Sequence, residues 1–124
     1  HWKSFQSAYQ SSPYFEFYED EFAPFYQKEY TYLLDFTTDL HTKVMELLNQ
    51  NTAINFTDKY LQTTTNEDFR LKFNAKKTPE LVSFKNSSYI QVFSNKHDFI
   101  ENLSIVDLLF NEGPNSINYL KSLT

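Results

Sequence analysis

Residues 14–34 read YFEFYEDEFAPFYQKEYTYLL. Phe15, Tyr18, Phe22, Phe25, Tyr26, Tyr30 and Leu33 recur there in steps of three and four, the spacing of one apolar stripe on a helix. Glu16, Glu19, Asp20 and Glu21 fill the intervening positions. Just before the stretch, Ser11-Ser12-Pro13 reads as a stop and restart, with Ser12 as N-cap and Pro13 in the first helical position. Pro24 either kinks this helix or begins a second one. The aromatic stripe reads as core, since rings at helical spacing bury large areas against neighbouring elements.

Upstream, Trp2, Phe5 and Tyr9 repeat the helical spacing, so the chain opens inside a helix and is expected to be a fragment of a larger protein. Downstream, Asp35 to Thr37 reads as punctuation. Leu40, Val44, Leu47 and Leu48 then predict a further helix, capped by Thr37 or Thr38 and ending near Asn49-Gln50-Asn51. Ala53-Ile54-Asn55-Phe56 is a candidate strand. Thr63 to Asn66 reads as a loop, with a helical turn possible at Glu67–Leu71, and residues 74–88 as an exposed loop around Lys76, Lys77 and Pro79. Tyr89-Ile90-Gln91-Val92-Phe93 is a buried strand or a helix start; its length does not decide. Near the end, Ser104-Ile105-Val106-Asp107 resembles a capping box with Asp in the Glu position. Gly113 fits a left-handed helix terminus and Pro114 the start of the next helix. The expected fold is mainly α, one compact multi-helix domain over residues 1–124 with one or two short strands.

Composition narrows the chemistry. The chain has 124 residues, with thirteen Phe, nine Tyr and one Trp, so a core is available and wholesale disorder is excluded. There is no Cys, which excludes disulfides, thiolate zinc sites and Cys nucleophiles, and a single Gly, which argues against a phosphate-cradling Gly-rich loop. No apolar stretch is long enough to span a bilayer, so membrane insertion is not expected. The net charge of −5 makes general nucleic-acid binding unfavourable. Residues 69–97 nevertheless carry Arg70, Lys72, Lys76, Lys77, Lys85 and Lys96 against Glu80 alone. That segment can meet a phosphate or simply be a solvated loop.

The candidate reactive residues are few. His1, His41 and His97 lack metal-ligand spacing. His41 reads as a surface or packing residue. His97, in Lys96-His97-Asp98 after an apolar run, sits on an expected loop, where an imidazole beside a carboxylate can act as a general base or be only a solvated turn. Glu16 and Asp20 share a helix face, but no oxygen-ligand loop accompanies them, so no metal site and no cofactor are expected. Three sequons, at Asn55, Asn86 and Asn102, are what chance gives in a chain this rich in Asn, Ser and Thr; the last reads as a helix entry.

Two stretches resemble a known family. His1-Trp2-Lys3-Ser4 with Ala8-Tyr9 and Pro13-Tyr14-Phe15-Glu16 is similar to the middle of the WbqC-like proteins of bacteria. Tyr89-Ile90-Gln91-Val92-Phe93 with Lys96-His97-Asp98-Phe99-Ile100, followed by Asn102 through Pro114, resembles their C-terminal end. The family's N-terminal segment, with its Gln-Pro-Tyr-type motif, has no counterpart here. The resemblance implies a cytoplasmic protein associated with O-antigen and other surface-polysaccharide gene clusters. Its polar motif positions are His1, Lys3, Tyr9, His97, Asp107 and Asn111. The family commonly carries Gly at the position of Asp98, so the resemblance assigns that carboxylate no role. Asp107 can equally be a helix-start charge, and Asn111 a helix terminator.

Two functions compete on this reading. In the first, the protein transfers a group to a nucleotide-activated sugar. His97 and Asp107 are then catalytic, as acid/base and orienting group. His1, Lys3, Tyr9, Arg70, Lys96 and Asn111 bind substrate, with Lys3, Arg70 or Lys96 meeting phosphate. In the second, it is a noncatalytic helical scaffold for other enzymes of the pathway, and its polar residues do not converge in a cleft. A homodimer, or a missing N-terminal segment, would cover any apolar stripe left exposed.

Overall fold

A computed structural model describes residues 1–71 and 87–123. The order of elements is α1 (Trp2–Tyr9), α2 (Phe15–Gln27), α3 (Leu33–Leu47), α4 (Ile105–Glu112), a 3₁₀ turn (Gly113–Asn115) and α5 (Ser116–Ser122). The chain is mainly helical, as its periodicity requires. Among the described residues there is no strand, which corrects the expected one or two. Ala53–Phe56 is exposed and irregular, and Tyr89–Phe93 runs into a turn. Among the described residues neither has a backbone partner to make a ladder. At residue 91 the side chain takes over that bonding, as described below.

Helix α2 is the hub, packing against α1, α3 and α4, and α4 packs on α5. The core comprises Phe15, Tyr18 and Phe22 of α2, Val44 and Leu48 around the end of α3, and Val106, Leu109 and Phe110 of α4. Phe110 and Leu109 are wholly buried. The Phe110 ring lies 5.0 Å from Tyr9, 5.2 Å from Phe15 and 5.6 Å from Phe22 between centroids, in tilted and edge-on arrangements that suit the ring quadrupoles. Trp2 stacks on Phe15 and Tyr26 at 6.3 and 5.4 Å, which seats α1. The aromatic stripe is therefore core along Phe15, Tyr18 and Phe22.

The helix ends differ from their sequence reading in instructive ways. Ser12 is buried and its hydroxyl donates to the Tyr9 carbonyl at 2.6 Å, so it closes α1 rather than capping α2. The Tyr14 N–H is satisfied by Phe110 O at 2.9 Å, across the core, and α2 starts at Phe15. Pro24 lies inside α2, and its carbonyl accepts the last helical N–H, that of Lys28, which is already extended. The following helix begins at Leu33, so Asp35 to Thr37 is its first turn; the Thr37 hydroxyl donates back to the Leu33 carbonyl at 3.0 Å instead of capping. Lys43 reaches Glu21 and Glu46, each at 3.1 Å, a half-exposed link between α2 and α3 that is worth below about 1 kcal/mol.

Other signals are realised as read. Asn49 (φ 54°) takes the left-handed conformation after α3. The same is true of Asn102 (φ 57°) before α4, where Ser104 is the N-cap and accepts the Val106 N–H at 3.3 Å. Gly113 ends α4 at φ 55°, and a Cβ there would stand 2.5 Å from the Tyr14 ring, so both backbone and space demand glycine. From residue 51 to 71 the chain is almost entirely exposed, without helix or strand beyond a turn at residues 70 and 71. The expected loop at residues 74–88 lies mostly outside the described residues, as do Lys72, Lys76, Lys77, Lys85 and the Asn86 sequon.

Candidate functional site

Asp107 stands in the first turn of α4, where the capping-box pattern predicts a side chain folded back on its own helix. Instead its carboxylate turns into the protein and is 3% exposed. Tyr89 Oη donates to Asp107 Oδ2 at 2.6 Å, and Gln91 Nε2 donates to the same oxygen at 3.3 Å. One turn on, Asn111 Nδ2 donates to the Asp107 carbonyl at 2.8 Å, so Asn111 braces the helix from within rather than ending it. Burying a carboxylate is costly unless donors replace the lost water, and hydrogen bonds to a charged acceptor contribute about 1.5–3 kcal/mol each. Among the described residues no buried side-chain nitrogen or oxygen lacks a partner.

Two phenols feel this carboxylate. Burial, and then the negative charge and hydrogen bonding of Asp107, push the Tyr9 phenol up to about 12. Burial and then the hydrogen bond to Asp107 push Tyr89 further in the same direction. Both phenols therefore keep their protons at neutral pH and act as donors, not bases. The Tyr89 ring is wedged edge-on against Phe99 and Tyr119, each 5.1 Å away, and the Tyr119 hydroxyl donates to the Ser87 carbonyl.

Beside the cluster is a small cavity of about 100 Å³. Its walls come from Ala8 and Tyr9 on α1, from Asp107 on α4, and from the connecting segment, which contributes Gln91, Phe93, His97 and Asp98. His97 is exposed at its rim, on a turn in which the N–H groups of Lys96 and His97 both donate to the Phe93 carbonyl at 2.9 Å. A shallow open groove of about 460 Å³ adjoins it, sharing Ala8 and Phe93 and adding Lys3, Ser4 and Ser7.

The sequence-derived candidates thus divide. His97, Asp107 and Tyr9 line the cavity, and Lys3 lines the groove next to it. Asn111 supports Asp107 through its backbone. His1 precedes α1 and lines neither space, and the exposed Lys96 is one residue away from the lining. Arg70 is also outside both; its guanidinium grips Asp68, with Nε 2.9 and 3.0 Å from the two carboxylate oxygens, and donates to the Leu61 carbonyl. Tyr89 and Gln91 were not foreseen as site residues. Their polar groups two positions apart, inside an otherwise apolar run, were the available signal.

Among the described residues there is no group of three or more His, Asp or Glu placed to hold a metal ion, and no helix long and apolar enough to cross a membrane. A family model described as the WbqC-like protein family matches residues 1–81 and 70–119. No curated protein and no solved structure matches the chain.

Proposed function

The chain belongs to the WbqC-like protein family, and from that premise we propose that it serves bacterial surface-polysaccharide (O-antigen) biosynthesis by holding a nucleotide-activated sugar for group transfer. The observation that carries this reading is the convergence of Tyr9, His97 and Asp107 on one cavity with Lys3 in the adjoining groove. At about 100 Å³ the cavity is smaller than the roughly 300–1,000 Å³ of sites that enclose a whole drug-sized ligand. Only the reacting end of the substrate enters it. The diphosphate and nucleotide lie along the open groove, where Lys3 supplies the cation.

The roles follow from the surroundings of each group. His97 is the acid/base, since an imidazole moves protons near neutral pH and this one is reachable from the cavity. It takes the proton from the sugar hydroxyl or amine as that oxygen or nitrogen bonds to the group arriving from an activated donor, and returns the proton to the donor's leaving atom as the donor–group bond breaks. Asp107 orients the site through Tyr89, Gln91 and Tyr9 and does not itself react. Lys3 is the phosphate partner among the three basic candidates, because it lines the groove, whereas Lys96 lines neither space and Arg70 is already engaged by Asp68.

One observation favours the second reading, a noncatalytic binding module: Asp107 Oδ2 is already taken by Tyr89 and Gln91. Isothermal titration with a panel of nucleotide sugars separates the two. The parent binds at least one; Lys3→Ala weakens binding and flattens its salt dependence; His97→Ala still binds but loses transfer. Absence of binding by every nucleotide sugar, with His97→Ala indistinguishable from the parent, removes the transfer reading and leaves the module.

A further inference from the structure

The segment that carries His97 has no regular structure to hold it, yet the Gln91 side chain hydrogen-bonds its two ends together, beside the ring contact of Tyr89 with Phe99. Gln91 is buried, and its amide reads the Ile100 backbone on both edges: Gln91 Nε2 donates to Ile100 O at 2.9 Å, and Ile100 N–H donates to Gln91 Oε1 at 3.0 Å. This is the bonding a neighbouring strand would supply, made by an amide side chain instead. The same Nε2 also points to Asp107 Oδ2, 3.3 Å away. The Gln91 backbone N–H is taken by Ser94 Oγ at 2.7 Å, which turns the chain outward immediately after the clasp. Residues 92–99, with His97 among them, are thus a closed loop whose neck is tied to α4.

We propose that Gln91 is the positioning residue that sets His97 over the cavity: its amide closes the neck of the 92–99 loop and anchors it to the buried Asp107. The proposal rests on the reading of His97 as the reactive group. Without the clasp the loop keeps its backbone bonds at Gln91–Ser94 and Phe93–His97 and the edge contact of Tyr89 with Phe99, none of which is a directional bond between residue 91 and residue 100. A primary amide offers a donor edge and an acceptor edge in a single plane, as the carbonyl and N–H of Ile100 require.

Hydrogen exchange and NMR on the whole chain test the clasp without any ligand, so its failure is distinguishable from failure of the nucleotide-sugar reading. In Gln91→Leu the Ile100 amide exchanges faster by about tenfold or more, the effect of losing one hydrogen bond. The His97 imidazole resonances shift, while the Leu109 and Phe110 amides are unchanged. Gln91→Met, unbranched like glutamine but without its donor and without a new charge, shows the same His97 shift and Ile100 acceleration, and serves alone if Gln91→Leu does not fold. Unchanged Ile100 exchange and His97 signals in the variants overturn the proposal. So does equal acceleration at Leu109 and Phe110, because Gln91 would then be a packing residue only.

Discussion

Helix α4 has two unlike sides. Val106, Leu109 and Phe110 meet the rings of α1 and α2, and their partners are apolar surfaces of no fixed direction. Asp107 faces a segment that is neither helix nor strand, and its partners are single atoms at single distances. The first side derives its strength from buried area, roughly 25 cal/mol per Å² regardless of orientation. The second is strong only when every donor is present, because an unmatched polar group in the interior costs more than the bond it replaced gained. The first side therefore builds the fold, and the second shapes the cavity.

Truncation on the ring side should have the largest effect. Phe110→Ala removes a wholly buried ring that touches three others and is expected to cost about 3–5 kcal/mol, seen as a lowered urea midpoint with loss of helical signal. A loss below 1 kcal/mol would mean that the rings do not hold α4 in place.

On the polar side a smaller loss is expected. Asp107→Ala strands the Tyr89 and Gln91 donors and costs about 2 kcal/mol, with Asp107→Asn, which keeps one acceptor oxygen, recovering part of it. The distinguishing measurement is residue-resolved: Tyr89, Gln91 and Ile100 should respond before Leu109 and Phe110. A uniform response along α4 would erase the contrast between its sides.

The smallest effect appears only in alkali. In the unfolded chain a tyrosine loses its proton near about 10, whereas Tyr9 in the folded protein holds it up to about 12. Between those values the unfolded state has released a proton that the folded state retains, so rising pH favours unfolding. The contribution is complete below about pH 10 and gone above the folded value, and Tyr89, raised by burial and then by the same carboxylate, acts in the same sense. Circular dichroism in fixed urea should show the parent losing stability from pH 10 to about 12, with a shallower fall in Tyr9→Phe and Tyr89→Phe. Identical slopes in all three would show that the fold does not hold these phenols above their ordinary range.

The ring side was legible in the sequence because its information is periodic. Phe15, Tyr18 and Phe22 announce a buried face without reference to any other part of the chain. Ser104 and Asn49 likewise act through their own backbone neighbourhoods, as does the positive φ of Gly113. The errors fall where a distant group competes for a local one. Ser12 has the chemistry of an N-cap, but Phe110 supplies the carbonyl that the Tyr14 N–H needs, and the hydroxyl turns to Tyr9. Tyr89–Phe93 has the composition of a strand, but the Gln91 side chain meets the Ile100 backbone and no second strand is at hand among the described residues. Of the site, His97, Asp107, Tyr9 and Lys3 came from motif positions, while the separation of His1, Arg70 and Lys96 from the cavity depends on paths the motif does not encode.

Local spacing by itself determined a helical protein with an aromatic interior, because each helix carries its apolar repeat within a few turns of its own chain. Only the tertiary structure decided what Asp107 is for. Its donors, Tyr89 and Gln91, lie 18 and 16 residues away along the chain, and a carboxylate becomes a helix charge or the anchor of a cavity according to which distant groups replace the water it gives up.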